Sequence, residues 1–173
     1  MNIFKKLGNY VERKKNEAQA ELNALSEDYL NKYLNGTPEE KDKGRVNLLY
    51  VGGSYPRFKA DYVGGHPTNP EGKQGCHITV IPQGLIVEAV DSLITKEEIK
   101  GVEIKSEEEV SKDVTLTRMV AFGIYALALK KEKRTVKNYL ILKCVKNGFE
   151  YSMAFAGDDV NSLYKELFKV IAG

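Results

Sequence analysis

The chain has 173 residues, of which 42% are hydrophobic and 29% charged, a composition typical of a globular protein and unlike that of a disordered chain. Lys and Arg number 26 against 24 Asp and Glu, a net charge of +2, which excludes a whole-chain basic field for nucleic acid but not a local patch. Two cysteines, Cys76 and Cys144, and an N-terminus without the apolar core of a secretory signal indicate a cytoplasmic protein.

The first predicted element is a helix over residues 7–34, because its apolar residues recur at intervals of three and four. They are Leu7, Tyr10, Val11, Ala18, Leu22, Leu25, Tyr29 and Tyr33. This apolar stripe must be covered by something. The sequence leaves two alternatives, which are packing on the rest of the chain and pairing with a second copy, as a homodimer through residues 7–34.

A second, shorter helix is predicted to start at Thr37, which can cap it, with Pro38 in the first turn. Gly44 is expected to end this helix, and residues 46–51 then read as a strand. The sequence therefore predicts an N-terminal helical segment over residues 1–44 and a β-rich domain over residues 45–173.

Antiparallel strands follow a turn-rich stretch that is rich in Gly, Pro and Asn. The predicted strands cover residues 57–63, 77–81, 85–90 and 99–104. Acidic residues outnumber lysines by eight to four over residues 91–113, which predicts a solvated stretch. Residues 115–130 are apolar on all sides, and we expect a mostly buried helix there, although a strand is the open alternative.

The last predicted hairpin has a turn at Asn147-Gly148, a pair that matches the twist of two antiparallel strands. Counting outward from this turn pairs Cys144 with Tyr151 on an apolar face, so Cys144 is expected to face the core. Apolar residues then recur at three and four from Val160 to Ile171, which predicts an amphipathic C-terminal helix.

The segment before this hairpin carries a recognisable string of residues, followed by a YLIL strand, a strand that ends at Phe155 and the final helix. The string consists of Thr117-Arg118, Gly123, Ala126-Leu127 and a lysine cluster. This order of elements resembles bacterial pleckstrin-homology-like (PH-like, GRAM-like) domains over residues 45–173. The resemblance implies an α+β fold, a bent antiparallel β-barrel capped by the C-terminal helix, to which the N-terminal helix is an addition.

The resemblance also implies a non-catalytic module that binds a protein or an anionic lipid surface. In relatives the lipid site lies in the loop that joins the first two strands, but residues 52–75 hold few basic side chains, so that site is not carried over. The basic residues expected to contact an anion are instead those of the lysine cluster. Residues 130–146 contain seven basic side chains and one acidic side chain. The residues expected to contact the anion are Lys130, Lys131, Lys133, Arg134 and Lys137. The alternative is that these charges only keep the hairpin soluble.

Signals for enzymatic chemistry are weak in this sequence, and we expect neither catalytic activity nor a cofactor. The glycine-rich stretches match no phosphate-binding or nucleotide-binding pattern. His66, Cys76 and His77 are the one group with metal-like residue types, but their spacing matches no zinc pattern, so no metal site is predicted. Arg118 stands among apolar neighbours and is expected to form a structural ion pair.

Overall fold

The computed structural model describes residues 3–50, 54–70, 72–90, 93–112 and 138–172. The chain divides into two compact units, residues 1–55 and residues 56–173. In the described residues the first unit is helical and the second contains a β-sheet and helices, so the chain is of the α+β class. The described residues include no helix with both the length and the apolar character needed to cross a bilayer.

The helical unit consists of α1 (Ile3–Asn35) and α2 (Pro38–Tyr50). The predicted long helix is confirmed. Thr37 caps α2 as predicted, since its hydroxyl accepts from the Glu40 backbone N–H at 3.4 Å while the Glu40 carboxylate accepts from the Thr37 N–H at 2.9 Å.

The predicted strand over residues 46–51 is wrong, because residues 46–50 continue α2 and Gly44 lies inside that helix. Gly44 does not end the helix but allows it to approach α1. A methyl group at this position would lie 2.7 Å from the Tyr29 carbonyl oxygen and from the Tyr33 amide nitrogen. The glycine signal therefore marks a close helix–helix contact, and all of α2 belongs to the helical unit.

The sheet unit holds seven strands that are all paired antiparallel. They are β1 (Arg57–Gly64), β2 (Lys73–Ile81), β3 (Gly84–Val87), β4 (Leu93–Thr95), β5 (Ile99–Ser106), β6 (Asn138–Lys146) and β7 (Phe149–Ala156). The described residues of the unit also form the helices α3 (Glu107–Lys112) and α4 (Val160–Ala172). Each predicted strand from residue 57 onward is present, whereas β4 and α3 were not predicted.

The spatial order of the strands is β4-β3-β2-β1-β7-β6-β5, so consecutive strands β4 and β5 lie at opposite edges of the sheet. Only residues 96–98 join them, a link that spans at most about 15 Å. In a flat sheet, the edges of seven strands would be about 29 Å apart. The sheet is therefore strongly curved. It is not closed by strand pairing within the described residues, so the predicted barrel is present only as a curved, open antiparallel sheet.

The connection between β4 and β5 is hydrogen-bonded to both sides of the curved sheet. The Lys96 amide donates to the Gln83 carbonyl at 2.9 Å, in the turn between β2 and β3. The Val145 amide of β6 donates to the Glu98 carbonyl at 2.8 Å. These two bonds hold the two edges of the sheet near each other.

The main core lies between one face of the sheet and α4. Val160, Leu163 and Leu167 of α4 are buried against strand residues such as Leu142 and Phe155. Alternate residues of the same strands point to the other face, where a second buried cluster includes Val110 of α3. The acidic stretch was predicted to be solvated. That prediction is wrong at Ile94 and Val110, which are both buried.

The register of the hairpin between β6 and β7 is confirmed, including the pairing of Cys144 with Tyr151. Asn147 and Gly148 both have positive φ angles, 52° and 82°, as the predicted two-residue turn requires. Cys144 is buried in the main core, which confirms its predicted orientation.

Candidate functional site

The basic residues predicted to contact an anion lie outside the described residues. They are Lys130, Lys131, Lys133, Arg134 and Lys137. The predicted helix over residues 115–130 and the ion pair expected for Arg118 also lie outside them. These predictions are neither confirmed nor contradicted.

The residues with metal-like chemistry occupy different surroundings. Cys76 is buried in the main core. His77 is partly exposed, and its Nδ1 lies 3.1 Å from Oε2 of Glu88, which also accepts a hydrogen bond from the His77 amide. Within the described parts of the chain, no three His, Cys, Asp or Glu side chains are grouped so as to hold a metal ion.

His66 is the histidine with the most unusual environment, since it is only 3% exposed. It follows Gly64 and Gly65, whose positive φ angles of 137° and 104° turn the chain sharply at the end of β1. The Thr68 amide donates to His66 Nδ1 at 3.3 Å, and the Thr68 hydroxyl lies 2.9 Å from the same nitrogen. Nδ1 therefore acts as the acceptor, which places the proton of the neutral ring on Nε2.

The Nε2 atom of His66 is buried and has no hydrogen-bonding partner among the described residues. The same holds for the hydroxyl of Tyr151, whose ring meets the His66 ring edge to face with centroids 5.2 Å apart. Two neighbouring buried polar groups without partners are uncommon in folded proteins. They make the neighbourhood of Tyr151 a buried polar region of the sheet unit.

Burial sets the protonation states of this neighbourhood. It lowers the pKa of His66, and the nearby Lys146 charge lowers it further, so the imidazole is neutral at pH 7. Burial also raises the pKa of Cys144 to about 12 and raises the pKa of Tyr151. Neither side chain is therefore ionised near neutral pH, and neither is an activated nucleophile.

A pocket of about 600 Å³ lies beside these residues, lined by Lys100 of β5, residues 143–145 of β6, residues 150–152 of β7 and Gly65. Two ion pairs stand around it. Lys143 Nζ lies 2.9 Å from Glu103 Oε1, and Lys146 Nζ lies 3.1 Å from Glu98 Oε1.

The lysines around this pocket are thus matched by acids, including Glu150 in the lining. Their charges largely cancel.

The turn between β6 and β7 presents an exposed aromatic side chain. Phe149 follows the Asn147-Gly148 turn directly and is 76% exposed. Among the described residues of the sheet unit it is the most exposed large hydrophobic side chain, and its cross-strand partner is Lys146. This end of the hairpin therefore combines an apolar tip, a flanking lysine and a pocket, and we call it the hairpin-tip surface.

Sequence reasoning found part of this surface. The register counted from the Asn-Gly turn places Tyr151 opposite Cys144, but it does not predict that Phe149 is exposed. It could not place His66 against Tyr151, since 85 residues separate them and their contact depends on how β1 pairs with β7.

Comparison of the chain with models of known protein families, with curated proteins and with solved structures gave no match of any of the three kinds.

Proposed function

We propose that the chain is a non-catalytic binding module whose sheet unit is a PH-like domain. The order of elements supports this proposal. A curved antiparallel sheet of hairpins, with its first strand paired to its last, carries a C-terminal helix packed into its core. This is the architecture that the resemblance implies, apart from barrel closure.

The protonation states support a binding role over a catalytic one. A thiol nucleophile requires a lowered pKa, whereas burial raises the pKa of Cys76 to about 11 and that of Cys144 to about 12. The histidine that contacts Tyr151 is buried, and its Nδ1 is already engaged by Thr68. It therefore lacks the access to substrate that a general base requires.

The single observation that carries the proposal is the exposure of Phe149 on the hairpin-tip surface. The tight turn holds this aromatic side chain in solvent next to a pocket, and aromatic side chains are enriched in protein–protein interfaces. The proposed partner is a protein or an anionic membrane. Because charges around the pocket cancel, attraction to a membrane would depend on the lysine cluster of residues 130–137.

Co-sedimentation of the full chain with neutral and anionic vesicles, at low and high salt, tests the proposal. Membrane recognition predicts binding to anionic vesicles alone, weakened by salt. A variant with Lys130, Lys131, Lys133 and Arg134 changed to Glu should lose that binding. A control variant with Lys41, Lys43, Lys165 and Lys169 changed to Glu carries the same charge change at exposed positions of the described residues and should retain more of that binding.

Phe149→Ser tests the hairpin-tip surface separately from the lysine cluster. Loss of vesicle binding in Phe149→Ser as well as in the lysine variant would place both features at the membrane. Absence of binding to anionic vesicles at every salt concentration would contradict the membrane partner, and the protein partner would then be sought through Phe149.

A second candidate function is self-assembly through the N-terminal helix, and a separate observation favours it. In the first half of α1, Leu7 and Val11 lie in solvent and are each 58% exposed. A solvent-exposed apolar stripe on a long helix is typical of an interface between chains.

A further inference from the structure

The apolar stripe of α1 lies mostly on the N-terminal side of the contact with α2. At about 100° per residue, Leu7, Val11, Ala18, Leu22 and Leu25 fall within an arc of about 60°. All five are exposed. Among the described side chains of α1, Ser26 and Leu30 are buried, and they lie about 70° and about 110° from the centre of that arc.

The partner helix α2 is too short to cover the stripe. α2 has 13 residues and is about 20 Å long, whereas α1 has 33 residues and is about 50 Å long. α2 packs on the C-terminal part of α1, near Tyr29 and Tyr33. The stripe from Leu7 to Leu25, about 27 Å long, lies beyond that contact.

The charges of α1 are separated along its length. Residues 3–15 hold five basic side chains and one acidic side chain, Glu12. Residues 16–28 hold four acidic side chains and no basic one. The two segments are equal in length, so the helix has a positive half and a negative half that meet near residue 16.

We propose that α1 pairs with α1 of a second copy of this chain in an antiparallel arrangement, an inference that rests on the second candidate function above. The antiparallel arrangement sets the positive half of each helix beside the negative half of the other, whereas a parallel arrangement would set like charges together. The resulting contact is two-fold symmetric and self-complementary.

The same centre brings the apolar residues into register. A two-fold axis near residue 16 places Leu7 of one helix opposite Leu25 of the other, since both are nine residues from that centre. It likewise places Tyr10 opposite Leu22. The charge pattern and the pairs Leu7–Leu25 and Tyr10–Leu22 therefore share one centre.

Ion pairs within α1 do not prevent this arrangement. Lys14 Nζ lies 2.8 Å from Glu17 Oε2, and Arg13 Nε lies 3.6 Å from Glu17 Oε1, with all three side chains about half exposed or more. Exposed pairs of this kind contribute at most about 1 kcal/mol. They can exchange for equivalent pairs between two helices at little cost.

Sedimentation equilibrium of the full chain tests whether two copies associate. We expect a two-chain mass that dissociates on dilution and as salt rises from about 50 mM to about 500 mM. Val11→Glu should weaken association at least tenfold, while Ala20→Glu, which adds the same charge on the opposite side of α1, should not. A single-chain mass at every concentration would overturn the proposal, and vesicle binding measured on the same sample would still test the proposed function separately.

Cysteine cross-linking tests the direction of the pairing. Leu7→Cys and Leu25→Cys proteins are oxidised separately and as a mixture, with the wild-type chain as control for the buried Cys76 and Cys144. Antiparallel pairing predicts a disulfide-linked dimer in the mixture and not in either protein alone. Cross-linking of each variant with itself, or strengthening of association by salt, would indicate parallel helices and overturn the proposal.

Discussion

Helices α1 and α4 have the same kind of apolar pattern, but the apolar face of α4 is buried and much of that of α1 is exposed. Each has apolar residues at intervals of three and four. α4 buries Leu163 and Leu167 completely against the sheet, whereas α1 leaves Leu7 and Leu22 in solvent. The difference is one of length, since 13 residues of α4 fit across the curved sheet while α1 extends beyond the 13 residues of α2. An amphipathic pattern predicts that a face is buried, but only the available partner surface decides whether the chain can bury it alone.

The largest effect expected from this comparison is on stability. Leu163→Ala should lower the free energy of unfolding by about 2–5 kcal/mol, because the side chain is fully enclosed and its removal leaves a cavity. Leu22→Ala, the same change on α1, should cost less than about 1 kcal/mol. Urea denaturation followed by circular dichroism at a low chain concentration measures both. Equal losses in the two variants would contradict the contrast between the helices.

Two glycines distinguish the part of α1 that contacts α2 from the part that does not. Gly44→Ala should destabilise the helical unit by about 1–3 kcal/mol, since the added methyl group meets the backbone of Tyr29 and Tyr33 at 2.7 Å. Gly8→Ala is the matched control, because nothing lies within 4 Å of that methyl position. It should stabilise α1 by up to about 1 kcal/mol through helix propensity. Thermal unfolding at 222 nm would show opposite shifts, and shifts of one sign would contradict the proposed contact.

The two units should also differ in their response to alkaline pH. Burial raises the pKa of Cys144 from 9.0 to about 12 and that of Cys76 from 9.0 to about 11. In the unfolded chain these thiols ionise first as the pH rises through 9, so the unfolded state is favoured from that pH upward. The stability that neutral thiols contribute is fully present below about pH 9 and is lost toward the folded-state pKa.

Each thiol accounts for a loss of about 1 kcal/mol between pH 8 and pH 10. Urea denaturation across this range measures the slope, and Cys144→Ala should make it shallower. The thiols belong to the sheet unit alone. Stability that is unchanged up to pH 11 would contradict the burial of these two side chains.

The sequence predicted the fold best where a tight turn fixes the register of the two strands that it joins. Asn147-Gly148 is compatible with one kind of tight turn, and that turn alone sets eight cross-strand pairs of β6 and β7. The strand predicted over residues 46–51 was wrong because a short apolar run is too short to show whether its period is that of a strand or of a buried helix. Gly44, which looked like a helix end, is required by the approach of α1, and no local rule contains that contact.

The candidate site also depends on contacts that no local sequence pattern predicts. Phe149 and Tyr151 follow from the hairpin register, so the sequence predicted their positions relative to Cys144. The contact between His66 and Tyr151 depends on the curvature of the whole sheet and on the turn at Gly64 and Gly65. Such a contact joins residues that have no periodic relation, and only the three-dimensional structure reveals it.

The smallest expected effect concerns the end of α2 that joins the two helices. Thr37→Ala removes the hydroxyl that accepts from the Glu40 amide and should cost about 0.5–1 kcal/mol. Thr37→Ser keeps an accepting hydroxyl and should restore most of this loss. The Thr37 amide donates to the Glu40 carboxylate and lowers the pKa of Glu40. This contribution is therefore present above the ordinary pKa of a glutamate and is lost as the pH falls through the lowered value. Thermal unfolding of the three proteins at pH 7 and at pH 3 measures both contributions. The backbone N–H at position 37 is present in all three, so protonation of Glu40 should lower the stability of each, whereas the hydroxyl appears as the difference between Thr37→Ala and wild type. Equal stability of Thr37→Ala and wild type at pH 7 would contradict the hydroxyl cap.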